Sequence, residues 1–427
     1  MSSINRRDFF RTAGAVSLLG VFGGWPLVAR SARDKARVVV VGGGYGGAVA
    51  AKYIKLVDPD IQVRLIERDK KFVSCPLSNE VLSGDRDLDS LTFDYKGLAK
   101  HGVTVVRDDV VSVDPAKKSV KGKSGNLYKY DKLVLSPGVD FRWDAIEGYD
   151  AEVAERIPHA WKAGPQTLTL RNQLKAMRDG GVVYIVAPPN PFRCPPGPYE
   201  RAAQIAHYLK QNKPRSKIII LDAKDKFSKQ GLFMTGWEKF YGNMIEWVSG
   251  AGGGVVEAVD ANKMELVATV ENFKGDVINL IPPQKAASIA VAAGVADQDG
   301  WCPVNQKTFE STLHKDVHVI GDSCIAGAMP KSGYAANSQG KVCAAAIVAE
   351  VNGLEAPEPS YVNTCYSIIA PDYGISVAAV YALADGKISA VAGAGGLSPS
   401  DASPRFRAKE AENARSWIRN IMADTFA

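Results

Sequence analysis

The chain has 427 residues, of which 46% are hydrophobic and 23% are charged, and its formal net charge is +6. This composition is typical of a globular protein with two or three domains, and the small, dispersed positive charge argues against a nucleic-acid partner. The five histidines follow no ligand spacing and no Cys-x-x-Cys-His sequence occurs. We therefore predict no metal site and no haem attached to this chain.

The first 31 residues are typical of an export signal. Residues 5–11 resemble a twin-arginine motif, and the apolar stretch at 13–29 is interrupted by glycines and a proline. Because this stretch is too short and too broken to span a bilayer stably, we expect cleavage close to residues 29–32 and no stable membrane span afterwards. Twin-arginine export carries folded proteins and would place the chain in the periplasm, where disulfides persist. A disordered N-terminus or a membrane anchor is the alternative.

A strand followed by a glycine-rich turn opens the first predicted domain. Residues 38–41 are all valine, and Gly42, Gly44 and Gly47 follow in G-x-G-x-x-G spacing before a helical pattern. The first glycine permits the turn, the second lets the backbone approach a pyrophosphate, and the third lets the helix pack on the strand. The next strand ends in Glu67, where an acidic side chain accepts hydrogen bonds from a ribose. This βαβ context predicts a dinucleotide site, against an ordinary α/β turn with incidental glycines.

A second βαβ unit begins near residue 180, after a predicted β-meander at 110–132. Its strand at 182–186 and its helix at 200–210 are joined by residues 187–199, which are rich in proline and lack the glycine fingerprint. Proline stiffens this connection and removes backbone donors, so it cannot wrap a second pyrophosphate. The pattern indicates an α/β fold with two Rossmann-like domains, of which only the first retains its dinucleotide.

A further strand at 317–320 ends in Gly321 and Asp322. This resembles the second flavin signature of FAD enzymes, in which the aspartate binds the ribityl chain and the backbone approaches the pyrophosphate. Together with the glycine turn, it favours flavin over nicotinamide. A helix is predicted from Lys331 to Val351, and its N-terminal donors would stabilise negative charge on a reduced flavin. We therefore place Lys331 at the cofactor together with Gly321 and Asp322.

These elements give a division of the chain into domains. We assign 33–150 and 275–350 to a discontinuous FAD-binding domain and 151–274 to a domain that resembles an NAD-binding domain without its NAD. Residues 351–427 form a C-terminal α+β interface domain. Its last helix, from residue 404 onward, carries apolar side chains on one side, and we expect it to dock on the body of the protein rather than on a membrane or a partner.

The six cysteines fall into two groups. Cys302, Cys324 and Cys343 have ordinary surroundings, and we predict that they are inert and buried. Cys194 lies in the proline-rich connection, where a second nucleotide would deliver its nicotinamide to the flavin. A cysteine there suggests that a thiol or disulfide relays electrons instead, with Cys365 as a plausible partner. Six cysteines allow fifteen complete pairings, so a purely structural disulfide stays open at this point.

Four cysteine- and glycine-containing segments together resemble one family, the flavoprotein subunit of flavocytochrome c sulfide dehydrogenase. They are Cys75-Pro76-Leu77-Ser78-Asn79, Phe192-Arg193-Cys194-Pro195-Pro196-Gly197-Pro198-Tyr199-Glu200, Pro330-Lys331-Ser332-Gly333-Tyr334 and Asn363-Thr364-Cys365-Tyr366-Ser367. The resemblance covers the mature chain and implies the glutathione-reductase type of fold. It implies a thioether between Cys75 and the 8α position of FAD, a redox-active disulfide between Cys194 and Cys365, and a c-type cytochrome subunit as electron acceptor.

The resemblance leads to a mechanistic hypothesis. Hydrosulfide attacks the disulfide, leaving a persulfide on one cysteine and a thiolate on the other, and electrons pass through FAD to the haem of the partner. Sulfur leaves in the zero-valent state or as polysulfide. Glu200 lies six residues after Cys194 and either handles a proton at the disulfide or serves as a charged residue at the start of its helix.

Three other functions stay open. A membrane-bound sulfide:quinone oxidoreductase shares FAD and the disulfide, but the helix around Trp417 is short and polar for membrane insertion. A pyridine-nucleotide-dependent flavin reductase would need the second glycine loop that is missing. A subunit that only transfers electrons or serves as a scaffold is the third possibility.

Overall fold

The computed structural model describes residues 35–427. The predicted export signal at 1–31 lies outside the described residues, so export and cleavage stay predictions. The strands of the described part are β1 Arg37–Val41, β2 Gln62–Glu67, β3 Phe72–Val73, β4 Thr92–Phe93, β5 Thr104–Arg107, β6 Val110–Asp114, β7 Ser119–Gly122, β8 Leu127–Lys129, β9 Lys132–Leu135, β10 Val139–Phe141, β11 Val182–Ala187, β12 Lys217–Asp222, β13 Ile245–Val248, β14 Val256–Asp260, β15 Glu265–Ala268, β16 Asn272–Lys274, β17 Val277–Leu280, β18 Gln284–Ala286, β19 Val317–Val319, β20 Ser360–Ala370, β21 Tyr373–Ala384 and β22 Lys387–Leu397.

The α-helices of the described residues are fewer than the strands. They are α1 Tyr45–Val57, α2 Asn79–Ser83, α3 Lys96–Lys100, α4 Val153–Arg156, α5 Pro165–Ala176, α6 Gly197–Asn212, α7 Gln230–Tyr241, α8 Ser288–Ala292, α9 Gly333–Val351 and α10 Pro404–Phe426. Helix α6 begins three residues earlier than we predicted, because its Pro198 lies in the first turn, where a proline removes no intrahelical hydrogen bond.

The first sheet has five parallel strands in the order β19-β9-β1-β2-β5. Its central strand β1 is a run of valines that are at most 5% exposed, as a strand covered on both faces requires. Strand β19 comes from far downstream and pairs with β9, two places from β1. The carboxyl ends of parallel strands meet at one edge, so Gly321 and Asp322 share that edge with the glycine turn after β1.

The second sheet is also parallel, with the order β13-β12-β11-β17. Strand β17 pairs with β11 from Val183↔Val277 to Val186↔Leu280 and all four of its residues are buried. Our boundary at residue 274 is therefore wrong, because this apolar strand completes the second sheet rather than the first domain. The predicted meander at 110–132 is confirmed as the antiparallel sheet β6-β7-β8.

The C-terminal part is a three-stranded antiparallel sheet, β20-β21-β22, with α10 packed on it and on α1. Helix α10 buries Ile418, Met422 and Phe426, and the Phe426 ring stacks on Phe93 with centroids 6.0 Å apart. The expectation that this helix docks on the body is confirmed. Among the helices of residues 35–427, none combines the length and the apolar character that a membrane crossing demands.

Candidate functional site

The glycine turn after β1 has no room for side chains at two of its three predicted glycines. Gly42 has φ +96°, and a Cβ there would lie 2.4 Å from the Ser136 carbonyl oxygen. A Cβ on Gly47 would lie 2.0 Å from the Gly42 carbonyl oxygen. Gly44 is open on its outer side and is the N-cap of α1, so the first backbone donors of that helix have no side-chain cap. A bare backbone at a helix N-terminus is the arrangement that receives a pyrophosphate.

Glu67 closes this turn from the end of β2. Its Oε2 accepts a hydrogen bond of 2.6 Å from the Gly43 N–H, and its Oε1 accepts one of 2.9 Å from the Asp69 N–H. The carboxylate is thereby fixed beside the glycine backbone. We predicted from the sequence that this side chain binds a ribose.

A cavity of about 390 Å³ lies beside the second predicted signature. Its lining includes Gly321, Asp322, Lys331 and Phe192 of the proline-rich connection. Asp322 Oδ1 is buried and has no hydrogen-bond partner in the described part of the chain. Burial raises the pKa of this carboxyl. Because buried carboxyl oxygens are normally hydrogen-bonded, a ligand hydroxyl such as that of a ribityl chain fits this atom.

Lys331 lines the same cavity but its ammonium is already hydrogen-bonded within the protein. Nζ donates to the carbonyl oxygens of Asp322 at 2.8 Å and Cys324 at 2.9 Å, and it lies 3.8 Å from the centroid of the Trp301 ring. Lys331 therefore holds the turn after β19 in place. Its predicted contact with the cofactor stays a prediction.

We expect Asp322→Ala to lower FAD content without weakening the flavin-free protein. Loss of a hydrogen bond to a charged group costs about 1.5–3 kcal/mol, which is roughly a tenfold to hundredfold loss of affinity. Without the unpaired carboxylate, the flavin-free variant should unfold at the same or a higher denaturant concentration than flavin-free wild type. The measurements are the flavin-to-protein ratio and urea unfolding, with the exposed Asp372→Ala as control. Full flavin content in Asp322→Ala would contradict the assignment.

Three cysteines line a second, smaller cavity of about 90 Å³. Cys75 comes from the loop after β3, Cys194 from the connection before α6, and Cys365 from β20. All six cysteines are free thiols in this structure, so the Cys194–Cys365 bond is not formed here and its formation stays a prediction. The four segments that we singled out from the sequence converge at this cavity, since residues 332–334 line it as well.

Cys194 is held in a strained conformation. Its φ of +56° lies in the left-handed region, which costs of order 1 kcal/mol for a residue with a side chain. Its N–H donates to the Lys331 carbonyl and its own carbonyl accepts from the Gly197 N–H, both at 2.8 Å. A Cβ on Gly197 would lie 3.1 Å from Cys194 Sγ and 2.5 Å from the Trp161 ring. The glycine that begins α6 therefore allows the thiol to lie directly against the helix.

The electrostatics of Cys194 link it to its predicted partner. Burial raises the pKa of the Cys194 thiol, and the neighbouring Cys365 and Glu200 raise it further. Arg193 and Lys229 act in the opposite direction and favour the thiolate. These two cations, of which Lys229 is buried, make the cavity suitable for an anionic nucleophile.

Cys75 lies against a short backbone segment. Its Sγ accepts a hydrogen bond of 3.4 Å from the Ala163 N–H and lies 3.7 Å from the Trp161 carbonyl oxygen. The Arg193 guanidinium donates to the same carbonyl. The Trp161 carbonyl group thus connects the Cys75 segment to the Cys194 segment.

Glu200 lies in the first turn of α6 and is only 8% exposed. Its Oε1 accepts a 2.8 Å hydrogen bond from the Ile368 N–H and its Oε2 accepts one of 3.0 Å from Asn79 Nδ2. One turn along α6, Gln204 Nε2 donates to the Ile368 carbonyl at 2.7 Å. Burial raises the pKa of Glu200, while the Ile368 N–H and Lys229 lower it. Glu200 therefore joins α6 to β20 close to Cys365.

Two buried cations near the cysteines, Lys229 and Arg201, were not predicted from the sequence. Lys229 Nζ donates to the Cys365 carbonyl at 3.0 Å and to Ser367 Oγ at 2.8 Å, and burial lowers its pKa. Arg201 donates to Asn79 Oδ1, Asn279 Oδ1 and two backbone carbonyls, and burial lowers its pKa to about 10. Lys229 lies in a charged run that is typical of a solvated surface, so no local signal identified it. The only sequence signal that could have identified Arg201 is its position directly after Glu200.

The cysteines that we predicted to be inert are buried. Cys302, Cys324 and Cys343 are at most 2% exposed, and burial raises their pKa values, to about 12 for Cys302 and Cys324. They stay protonated at neutral pH and take no part in the cavity of the other three.

Three family models match successive parts of the chain. Residues 36–170 match the pyridine nucleotide-disulphide oxidoreductase model. Residues 167–282 match the central model of the sulfide dehydrogenase [flavocytochrome c] flavoprotein chain. Residues 357–426 match the flavin-binding model of flavocytochrome c sulphide dehydrogenase.

Individual relatives agree with these models. The sulfide dehydrogenase [flavocytochrome c] flavoprotein chain of Chlorobaculum thiosulfatiphilum is 60% identical over 45 residues, which are 10% of this chain and 94% of that sequence. The mitochondrial sulfide:quinone oxidoreductase of Dictyostelium discoideum is 23% identical over 314 residues, or 69% of this chain. The matched region spans 66% of that relative, slightly less than two thirds of its length.

A solved structure shares the fold at low sequence identity. The sulfide:quinone oxidoreductase of Aquifex aeolicus has a TM-score of 0.69 with 17% identity, and the match covers 91% of this chain and 92% of that one. The predicted fold of two Rossmann-like domains with a C-terminal α+β domain is confirmed. With its cysteine cavity, its glycine cradle and these matches, the chain belongs to the flavoprotein chain family of flavocytochrome c sulfide dehydrogenase.

Proposed function

We propose that the chain oxidises hydrosulfide at the Cys194–Cys365 pair and passes the electrons through FAD to a c-type cytochrome subunit. The observation that carries this proposal is the convergence of Cys75, Cys194 and Cys365 on one cavity. Cys75 is the residue that the resemblance implies as the flavin tether, and it lines the same cavity as the proposed reacting pair. Glycine residues and Asp322 supply the cradle that FAD would need.

The protein residues support attack by an anion. Arg193 and the buried Lys229 are cations beside the two sulfurs, and they favour hydrosulfide over neutral hydrogen sulfide at the cavity. Attack breaks the disulfide bond and forms a persulfide bond on one cysteine, while the other cysteine leaves as a thiolate. A second hydrosulfide then attacks the persulfide and leaves as hydrodisulfide, so that both cysteines become thiolates.

Re-forming the disulfide releases two electrons. Bound FAD would accept an electron pair and release electrons singly, which matches a two-electron donor to a one-electron haem. Glu200 is our candidate for holding the proton of the attacking hydrosulfide, because this residue lines the cysteine cavity and burial raises its pKa. The overall change is two hydrosulfides to one hydrodisulfide, one proton and two electrons.

The electron acceptor separates this proposal from its nearest alternative. Support for a cytochrome comes from the family models, which name a flavocytochrome c, whereas the Dictyostelium and Aquifex relatives are named for quinone. The sequence pattern at 1–31 supports a periplasmic location for the chain. We therefore favour cytochrome, with quinone as the second candidate.

An anaerobic titration tests the proposal on the mature flavoprotein. Sulfide should bleach the flavin, and addition of the co-purified c-type cytochrome should then restore its absorbance while the haem becomes reduced. A soluble quinone analogue replaces the cytochrome in the parallel experiment. Faster reoxidation by quinone would select the second candidate, and reduction by NADH but not by sulfide would contradict both.

We expect Cys75→Ser to convert a covalent flavin into a dissociable one. Serine keeps the size of the side chain but cannot form a thioether. After acid precipitation, flavin should stay with the wild-type pellet and pass into the supernatant of the variant. Cys302→Ala is the matched control, since Cys302 is buried away from the cysteine cavity. Yellow supernatant from the wild type itself would rule out the tether.

A further inference from the structure

A buried histidine with an unpaired nitrogen lies beside two glutamates in the first domain. His318 is in β19, Glu310 lies on the segment that bridges to it, and Glu350 is in the last turn of α9. One ring nitrogen and one carboxylate oxygen from each glutamate all lie within 4.8 Å of one another. These residues are outside both cavities of the proposed active site.

The hydrogen bonding of His318 fixes which nitrogen is available. Nδ1 lies 3.1 Å from the Thr308 carbonyl oxygen, which can only accept, so Nδ1 carries the proton. Nε2 is then a bare acceptor, and it is buried with no hydrogen-bond partner in the described residues. Histidines that bind metals typically donate their other ring N–H to a backbone carbonyl in this way.

The carboxylates are held in position around the histidine. Glu310 Oε1 accepts a 2.7 Å hydrogen bond from the Asp316 N–H. The Lys132 ammonium bridges Glu350 and Asp316, and Lys118 also pairs with Asp316 at 2.6 Å. The three carboxylates exceed the two ammonium groups by one negative charge. Lys132 occupies one oxygen of Glu350, and the other oxygen remains for a ligand.

We propose that Glu310, His318 and Glu350 bind a divalent transition-metal ion such as Zn²⁺, with water completing the coordination. One imidazole nitrogen and two carboxylate oxygens are a donor set that Zn²⁺ accepts. The ion would join the end of α9 to β19, the strand that leads directly into Gly321 and Asp322. Its role is structural, because it fixes the strand beside the cofactor turn.

This site departs from our expectation of no metal. The ligands are separated by eight and then thirty-two residues along the chain, so no sequence motif links them. They meet only because β19 pairs with β9 and because Glu350, near the end of α9, pairs with Lys132 on β9. We excluded a metal site because the five histidines follow no ligand spacing. That criterion cannot detect a site in which one histidine and two carboxylates distant in the sequence supply the ligands.

Equilibrium dialysis of the mature flavoprotein against zinc sulfate, with metal analysis, tests the proposal. Wild type and Glu355→Gln, an exposed acidic control, should each bind one more zinc than Glu350→Gln. Affinity at this site should fall about tenfold or more in Glu350→Gln and in Glu310→Gln. Zinc should also raise the melting temperature of wild type and control but not that of the two ligand variants.

Cobalt substitution separates this site from the thiols. Co²⁺ bound by nitrogen and oxygen gives visible ligand-field bands without thiolate charge-transfer absorption, so a thiolate band would assign the metal to the cysteine cavity and overturn the proposal. Equal zinc content in wild type, Glu355→Gln and both ligand variants would overturn it as well. Neither readout depends on sulfide oxidation, so the metal proposal can fail while the proposed function stands.

Discussion

Replacing Cys194 by serine is expected to slow flavin reduction by sulfide by roughly 10³-fold or more, the scale of losing a reacting nucleophilic centre. Serine fills the same space against Gly197 but cannot form the bond that hydrosulfide breaks. The measurement is anaerobic stopped-flow of the flavin absorbance. Reduction of the same variant by dithionite should stay fast, which shows that the flavin itself is intact.

The partner cysteine provides a second test of the same idea. Cys365→Ser should slow reduction as much as Cys194→Ser does, and the double variant should be no slower than either, because residues that act as a unit are not additive. Cys343→Ala is the control, since Cys343 is buried in α9 outside the cavity. Sulfide reduction at the wild-type rate in Cys194→Ser would remove the relay from the mechanism.

Gly47→Ala is expected to yield a protein that is nearly free of FAD. The new Cβ would lie 2.0 Å from the Gly42 carbonyl oxygen and 3.2 Å from Ser136 Cβ, so the turn must open. Overpacking of this kind costs about 1–3 kcal/mol, and flavin affinity should fall about tenfold or more as the cradle is distorted. The flavin-to-protein ratio of the purified variant and its thermal unfolding measure the two effects.

The control for this substitution is another helical glycine. Gly231 in α7 has no atom within 4 Å of an added Cβ, so Gly231→Ala should retain FAD and full stability. Wild-type flavin content in Gly47→Ala would mean that the turn after β1 is not the pyrophosphate cradle.

The parts of the fold that the sequence predicted are those with a local pattern. The valines of β1 and the glycines after them identify a buried strand and a helix start from neighbouring residues alone. The start of α6 was missed by three residues, because a run of prolines and Gly197 is typical of a loop until the first turn of a helix places them. Strand β17 was assigned to the wrong domain, since an apolar strand carries no mark of the sheet that it joins.

The candidate site shows the same limit. Cys75, Cys194 and Cys365 were found because cysteines are few and their neighbours form recognisable segments. Lys229 was not found, since its burial depends on β20, more than a hundred residues downstream. The unpaired oxygen of Asp322 and the unpaired nitrogen of His318 are properties of packing, which one sequence does not display.

Glu200 and Gln204 form hydrogen bonds with the N–H and the carbonyl group of Ile368, and these bonds have a consequence for disulfide formation. A chain that arrives with all its thiols reduced must choose one correct pairing. These two hydrogen bonds hold the first turns of α6, which follow Cys194, against β20, which carries Cys365, before any oxidant acts. Cys302, Cys324 and Cys343 are shielded by burial, whereas Cys75 is partly exposed. Fidelity of oxidation would then be encoded in two polar side chains rather than in the cysteines themselves.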